Sequence, residues 1–175
     1  MRQLVVVAAG LFLAGFGAQA ARAEKVEIKG VHLCCPSRDK AVGGILSKVD
    51  GVSDAKCDRA EKTVTFTATD AKTARTAFDA LRKGGFFGQA TCEGKEMKTK
   101  NTASKTKAAK VTVNDVHVCC GNCKKAVEKL FKDATITYTG DGPQRNVTIA
   151  GENLTPAGVL QTLRNAGFNG TISKE

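Results

Sequence analysis

Short stretches of alternating apolar and polar residues recur along the chain, with segments of helical spacing between them. Residues 26–29 alternate apolar and polar, as a half-buried strand does. Residues 71–83 instead carry an apolar stripe at helical spacing, formed by Ala74, Ala77, Phe78 and Leu81. Two glycines at 84 and 85 end this predicted helix.

Extending this pattern predicts the same order of elements twice. The first half has predicted strands at 26–29, 52–57, 62–69 and 86–91 and helices at 37–49, capped by Ser37, and 71–83. The second half has predicted strands at 110–116, 135–139, 146–150 and 168–173 and helices at 122–132 and 155–165. Each half therefore reads β-α-β-β-α-β.

An internal repeat supports this division. The segment Val31-His32-Leu33-Cys34-Cys35 returns as Val116-His117-Val118-Cys119-Cys120. Later, Leu81-Arg82-x-x-Gly85-Phe86-x-Gly88 returns as Leu163-Arg164-x-x-Gly167-Phe168-x-Gly170, with the glycines interpreted as turn residues. We predict an α+β protein with two tandem ferredoxin-like domains, 24–92 and 110–175, each with two helices on one face of an antiparallel sheet.

The first residues are not expected to belong to the fold. A positive start is followed by an apolar run, Leu4 to Phe16, and then by small residues around 18–23. This pattern predicts a secretory signal peptide over residues 1–23 and an exported protein, periplasmic or extracellular. The alternative, an uncleaved membrane anchor, is disfavoured because the apolar run is shorter than the roughly 20 residues that span a bilayer. No stable membrane insertion is expected after cleavage.

The net charge of +10 is concentrated in one segment. Residues 93–109 and the adjoining position 110 hold six lysines among Thr, Ser, Ala and Asn, without aromatic residues. This composition favours a solvated linker rather than a nucleic-acid-binding face, which would combine basic and aromatic side chains on a folded surface. An acidic envelope protein or a metal transporter is a plausible docking partner for such a basic segment.

Seven cysteines are bunched rather than spread along the chain. Cys34 and Cys35 are adjacent, as are Cys119 and Cys120. Adjacent Cα atoms lie about 3.8 Å apart, below the usual disulfide range of roughly 4.4–6.8 Å. The spacing therefore indicates a ligand cluster rather than a disulfide framework. Cys57 and Cys92 are interpreted as small core or edge residues on separate edge strands, not bonded to each other.

The loop before the first helix of the second half carries the metal-ligand chemistry. It reads His117-Val118-Cys119-Cys120-Gly121-Asn122-Cys123. A helix N-terminus lowers thiol pKa values, and thiolates bind soft ions such as Cu(I) and also Zn(II). Cys120 and Cys123 are the main candidate ligands, with Cys119 and His117 as additional ones.

A β-α-β-β-α-β module with Cys-x-x-Cys in its first loop resembles the heavy-metal-associated domain family, whose motif is Met-x-Cys-x-x-Cys. The resemblance assigns the two metal ligands to Cys120 and Cys123, places Val118 where the family has methionine, and makes Phe168 the aromatic residue near the site. It also adds Hg(II) to the candidate ions, because the family includes a periplasmic mercury-binding protein as well as copper chaperones.

The first half departs from that motif. It keeps Cys35 but places Arg38 where the second ligand belongs. Cys34, Cys35 and His32 are therefore secondary candidates for metal binding, and Arg38 is a candidate for stabilising a Cys35 thiolate or an anion.

These observations predict an exported soft-metal-binding protein, a carrier, scavenger or sensor, with Cu(I) as the first choice and Hg(II) or Zn(II) as alternatives. Hydrolytic motifs and a phosphate-binding loop are absent from the sequence, so an enzyme is not expected. The competing hypotheses are a thiol–disulfide redox protein that uses Cys120 and Cys123, and a structural or interaction module that has lost metal binding.

Overall fold

The computed structural model describes residues 23–173. The signal peptide predicted for residues 1–23 lies outside this range except for its last residue, and stays a prediction. Within 23–173, the helices are all too short or too polar to cross a membrane.

The first half of the described chain forms one antiparallel sheet and two helices. Its elements are β1 (Glu24–Lys29), α1 (Pro36–Leu46), β2 (Val52–Asp58), β3 (Thr63–Ala68), α2 (Ala71–Lys83), β4 (Gln89–Cys92) and β5 (Lys95–Glu96). The strands lie in the order β2-β3-β1-β4-β5. We call residues 24–92 the first module.

The second half repeats this arrangement. Its elements are β6 (Ala108–His117), α3 (Gly121–Leu130), β7 (Thr135–Thr139), β8 (Gln144–Leu154), α4 (Pro156–Asn165) and β9 (Thr171–Ile172). The strands lie in the order β7-β8-β6-β9. The first strand of this half, β6, therefore lies inside its sheet, as β1 does in the first module. We call residues 110–173 the second module.

The prediction of an α+β fold is confirmed, with two antiparallel sheets and four helices, in line with two ferredoxin-like domains. Each sheet has a hydrophobic core of its own. Val26, Val64 and Phe78 are among the buried residues of the first, and Val113, Ile149 and Leu163 among those of the second. Burial of these apolar side chains is the main source of stability for such small modules.

Two predicted strands are shorter than expected, for one shared reason. The predicted strands 86–91 and 168–173 begin only at Gln89 and Thr171. Their first residues, Phe86 and Phe168, instead pair with each other in an antiparallel bridge between the modules. Both rings are buried, so this pairing extends the apolar contact between the modules.

The glycines before these two phenylalanines have a role beyond turning the chain. Gly85 and Gly167 both have φ near +80°, at 84° and 83°. A Cβ atom at Gly85 would collide with the backbone of His117, and one at Gly167 with the backbone of His32. Each glycine therefore lets the other module's cysteine-loop backbone approach closely. Asn169 N also donates to the Gly85 carbonyl at 2.9 Å.

Ser37 does not cap the first helix, contrary to prediction. Helix α1 begins one residue earlier, at Pro36, and Cys35 occupies the N-cap without a side-chain hydrogen bond. Proline at the first helical position fits its fixed φ and its missing N–H. As a result, the side chain at the N-terminus of α1 is the thiol of Cys35 and not the hydroxyl of Ser37.

The basic segment 93–109 is exposed at its lysines, as predicted, but its backbone is held in place. Strand β5 lies within this segment and pairs with β4, which carries Cys92. The prediction that Cys92 lies on an edge strand is therefore wrong. Arg75 Nη2 donates to the Lys98 carbonyl at 2.9 Å, and Asn101 Nδ2 donates to the Ala157 carbonyl at 2.8 Å. The segment is thereby attached to α2 of the first module and α4 of the second.

Candidate metal centre

The two cysteine loops face each other across the junction between the modules. Cys34 and Cys35 end the loop after β1, and Cys119 and Cys120 end the equivalent loop after β6. Cys35 and Cys120 are the N-cap residues of α1 and α3, so two helix N-termini also point toward the junction. The partial positive charge of each helix N-terminus is therefore directed at the same junction.

Five sulfur atoms lie in one continuous group. Cys34 Sγ is 3.3 Å from Cys123 Sγ and 3.6 Å from Cys120 Sγ. Cys35 Sγ is 3.8 Å from Cys119 Sγ. Within the second module, Cys123 Sγ is 3.5 Å from Cys120 Sγ and 3.8 Å from Cys119 Sγ. We call these five residues the thiol cluster; all of them are free thiols.

These separations suit a shared metal ion. Two thiolates bound at about 2.3 Å to one tetrahedral ion lie about 3.8 Å apart. The sulfurs of Cys34, Cys35, Cys119 and Cys120 all lie within 4.8 Å of one another, and so do the ligand atoms of His32, Cys34 and Cys123. The thiol cluster could therefore hold a metal ion with little movement of its side chains.

The structure revises the expected roles of the first-module residues. The sequence makes Cys34 and Cys35 only secondary ligand candidates, because the first loop lacks a complete Cys-x-x-Cys motif. Their partners prove to be the cysteines of the second module rather than a residue three positions further along the chain. Cys34 even packs against the hydrophobic core of the second module.

The two histidines are not equivalent as ligand candidates. A ring nitrogen of His32 belongs to a potential ligand group, whereas among the described residues His117 belongs to neither group. His117 packs its ring against Phe86 of the first module, with centroids 4.7 Å apart. His32 packs symmetrically on Phe168 of the second module, at 4.4 Å. Phe168, which the family resemblance places near the metal site, contacts His32 and also the guanidinium of Arg38.

Arg38 crosses from the first module into the second. Its side chain is fully buried, and Nη1 donates to the His117 carbonyl at 2.7 Å and lies 3.6 Å from Cys123 Sγ. The guanidinium carbon sits 4.7 Å from the centre of the Phe86 ring and 5.2 Å from that of Phe168. Helix α1 directs the Arg38 side chain across the junction. Arg38 therefore contacts the sulfur of Cys123 and not that of Cys35, the thiolate that the sequence suggested it would stabilise.

The charge of Arg38 changes the acidity of its neighbours. Burial acts to raise the pKa of the Cys123 thiol, but hydrogen bonds from Cys34 and Cys120 and the Arg38 cation outweigh it, and this pKa falls to about 7. Burial and the contacts with Cys123 and Cys120 raise the pKa of Cys34. In the metal-free protein at neutral pH, the Cys123 thiol is therefore about half ionised, whereas Cys34 keeps its proton.

Both histidines are neutral at physiological pH. Burial first, and then the positive charge of Arg38, lowers the pKa of His32 and of His117 to about 4. A neutral imidazole is the metal-binding form. The Nε2 atoms of both rings are buried without a hydrogen-bond partner.

Access to the cluster is one-sided. Cys34, Cys35, Cys119 and Cys120 are half-buried, whereas Cys123 is completely buried. An ion entering from solvent therefore meets the four half-buried cysteines first and the buried Cys123 behind them. The other two cysteines, Cys57 and Cys92, lie in the first module's sheet, partly buried against its core as predicted.

Comparison with known proteins gives little further information. Family models and curated proteins give no match to this chain. Among solved structures, it is similar to the first two RRM domains of a yeast poly(U) binding protein, with 10% sequence identity and a TM-score of 0.23. That match covers 87% of this chain and 98% of the other. A TM-score this low does not indicate a shared function.

Proposed function

We propose that the protein binds a soft metal ion, Cu(I) in the first place, at the thiol cluster between its two modules. The observation that carries this proposal is the convergence of Cys34 on Cys123 and Cys120, at 3.3 and 3.6 Å. These residues come from loops more than eighty positions apart in the sequence, so local chain geometry alone does not explain their contact.

The chemistry of the donor set supports a soft ion. Thiolate ligands select Cu(I), with Zn(II) and Hg(II) as the alternatives. The buried Arg38 cation beside Cys123 and the two helix N-termini offset part of the negative charge that the thiolate ligands bring to the site. The Cys120-x-x-Cys123 spacing and the order of elements also match the resemblance to the heavy-metal-associated domain family.

The half-buried sulfurs fit a carrier, scavenger or sensor better than a closed structural site. A partner's thiolate can reach a bound ion at Cys35 and Cys119 and displace these ligands one at a time, so the ion is never free. The exposed lysines of segment 93–109 would favour docking to an acidic partner or metal transporter. Export, expected from residues 1–23, is part of this proposal.

Cu(I) titration of the reduced full chain under anaerobic conditions, against a competing chelator, tests the proposal. We expect tight binding by the wild type and a loss of at least about 100-fold in affinity for the double variant Cys120→Ser, Cys123→Ser. The matched control is Cys57→Ser, Cys92→Ser, which also removes two thiols but leaves the thiol cluster intact. Equal binding by all three proteins would overturn the proposal.

A thiol–disulfide function is the second candidate, because the same 3.3 Å contact between Cys34 and Cys123 places two free thiols within reach of oxidation. Turnover in an insulin-reduction assay, abolished in Cys34→Ser, would favour it. A metal carrier predicts no turnover in that assay.

A further inference from the structure

The donor atoms at the junction fall into two overlapping groups. One consists of Cys34, Cys35, Cys119 and Cys120, and the other of His32, Cys34 and Cys123. Cys34 is the member that both groups share. Its sulfur also lies within contact distance of one member of each group, 3.6 Å from Cys120 Sγ and 3.3 Å from Cys123 Sγ.

We propose that the junction binds two Cu(I) ions and that the Cys34 thiolate bridges them. This inference rests on the proposed function and deepens it: the protein carries a dinuclear copper–thiolate cluster rather than a single ion. The outer ion is held by Cys35, Cys119 and Cys120 together with Cys34, and the inner ion by Cys123, His32 and Cys34.

An ion bound by the first group alone would leave Cys123 and His32 without a metal contact. An ion among Cys34, Cys35, Cys119 and Cys120 already has four sulfur ligands, the number of a closed tetrahedral site. Cys123 would then remain as a completely buried thiol, and Nε2 of His32 would remain buried without a partner. Buried polar atoms are normally satisfied, so the unpartnered nitrogen of His32, a member of the second donor group, points to a second cation.

Charge balance favours the same conclusion. Several thiolates in one half-buried group carry an excess of negative charge, which burial makes unfavourable. The buried Arg38 beside Cys123 offsets one unit of it, and each bound Cu(I) offsets another. A second monovalent ion therefore stabilises the deprotonated cluster more than a single one does, while the thiol protons are released to solvent on binding.

The arrangement also differs from a site built by one Cys-x-x-Cys motif. Two thiols of one loop can satisfy one ion at most, whereas here the first module supplies the bridging ligand and a histidine. This explains why the first loop keeps two cysteines and a histidine although Arg38 replaces the fourth position of its motif.

Anaerobic Cu(I) loading of the full chain, with copper counted per chain and X-ray absorption recorded on the loaded protein, tests the inference. We expect two Cu(I) ions per wild-type chain and a copper–copper scattering contribution. Cys34→Ser should bind one ion and lose that contribution, and His32→Gln should bind the second ion at least tenfold more weakly. The control Cys92→Ser should retain two ions.

The outcomes separate this inference from the proposed function. One ion per wild-type chain without copper–copper scattering overturns the dinuclear cluster and leaves metal binding intact. No bound copper overturns both. Two ions with undiminished copper–copper scattering in a folded Cys34→Ser protein, checked by circular dichroism, overturns the bridging role. The wild-type scattering result stands even where a variant does not fold.

Discussion

Arg38 of the first module donates a 2.7 Å hydrogen bond from Nη1 to the main-chain carbonyl of His117 in the second module. The same nitrogen lies 3.6 Å from the Cys123 sulfur, and the side chain is fully buried between two phenylalanine rings. One residue thus joins the modules and supplies a positive charge to the thiol cluster.

Replacing Arg38 by methionine should destabilise the protein and raise the pKa of Cys123. Loss of a charged hydrogen bond in a buried site, together with the cation–π contacts, is expected to lower the free energy of unfolding by about 2–4 kcal/mol. Urea unfolding followed by circular dichroism measures this change, and thiolate absorbance against pH measures the pKa.

The control for Arg38 is Arg59→Met. Arg59 pairs with Asp39 at 3.2 Å, and its side chain is 51% exposed, so its loss should cost less than about 1 kcal/mol. Equal destabilisation by the two substitutions would show that Arg38 has no special role at the junction.

Alanine at Gly167 should disturb metal binding from outside the thiol cluster. Gly167 has φ of 83°, and a Cβ there would collide with the backbone of His32 and so push the modules apart. Gly94→Ala is the control, because its φ is 75° but a Cβ there meets nothing within 4 Å. Both substitutions carry a left-handed backbone cost of about 1 kcal/mol.

Only Gly167→Ala is expected to weaken Cu(I) binding, by at least tenfold, because only it separates Cys34 and Cys35 from the second module. Chelator competition measures both affinities. If the two variants lose the same affinity, backbone strain rather than module docking would be responsible.

The metal-free protein should lose stability as the pH falls from about 6.5 to about 4. In this range the unfolded chain takes up protons on His32 and His117, whose pKa values are lowered to about 4 in the folded state by burial and by Arg38. After allowance for solvent screening, each histidine should contribute on the order of 1–2 kcal/mol to this loss.

Thermal unfolding of the reduced, metal-free protein at a series of pH values measures this effect. His117→Gln should unfold with a shallower pH dependence than the wild type between pH 6.5 and 4. An unchanged slope would mean that His117 is protonated in the native state as easily as in the unfolded chain.

Sequence patterns predicted the elements well where the signal is local. Helix α2 and strand β7 have the predicted bounds, Ala71–Lys83 and Thr135–Thr139, because an apolar stripe and an alternating strand are set by neighbouring residues. The contact between Cys34 and Cys123 could not be predicted in this way. It depends on how two modules dock, and one module's periodicity carries no information about the other's position.

The same reason explains why the surroundings of Arg38 and His117 differ from those that the sequence predicts. In the sequence of its own loop, Arg38 stands where the motif has its second cysteine ligand. In the structure its buried side chain donates a hydrogen bond to the other module. His117 was a candidate ligand by position in the motif, whereas His32, its repeat partner, is the histidine near the sulfurs. The matching Gly-Phe pairs at 85–86 and 167–168 are a sequence signal of the junction, but from the repeat alone these glycines predict only turns.

The most direct test of the account is the Cu(I) affinity of the double variant Cys34→Ser, Cys35→Ser in the full chain, measured by chelator competition beside Cys57→Ser, Cys92→Ser. Both substituted pairs belong to the first module, but only the first pair reaches the sulfurs of the second. The account predicts a loss of at least about 100-fold for the former and wild-type affinity for the latter. Wild-type affinity in Cys34→Ser, Cys35→Ser would contradict it, because the second module would then bind the ion alone.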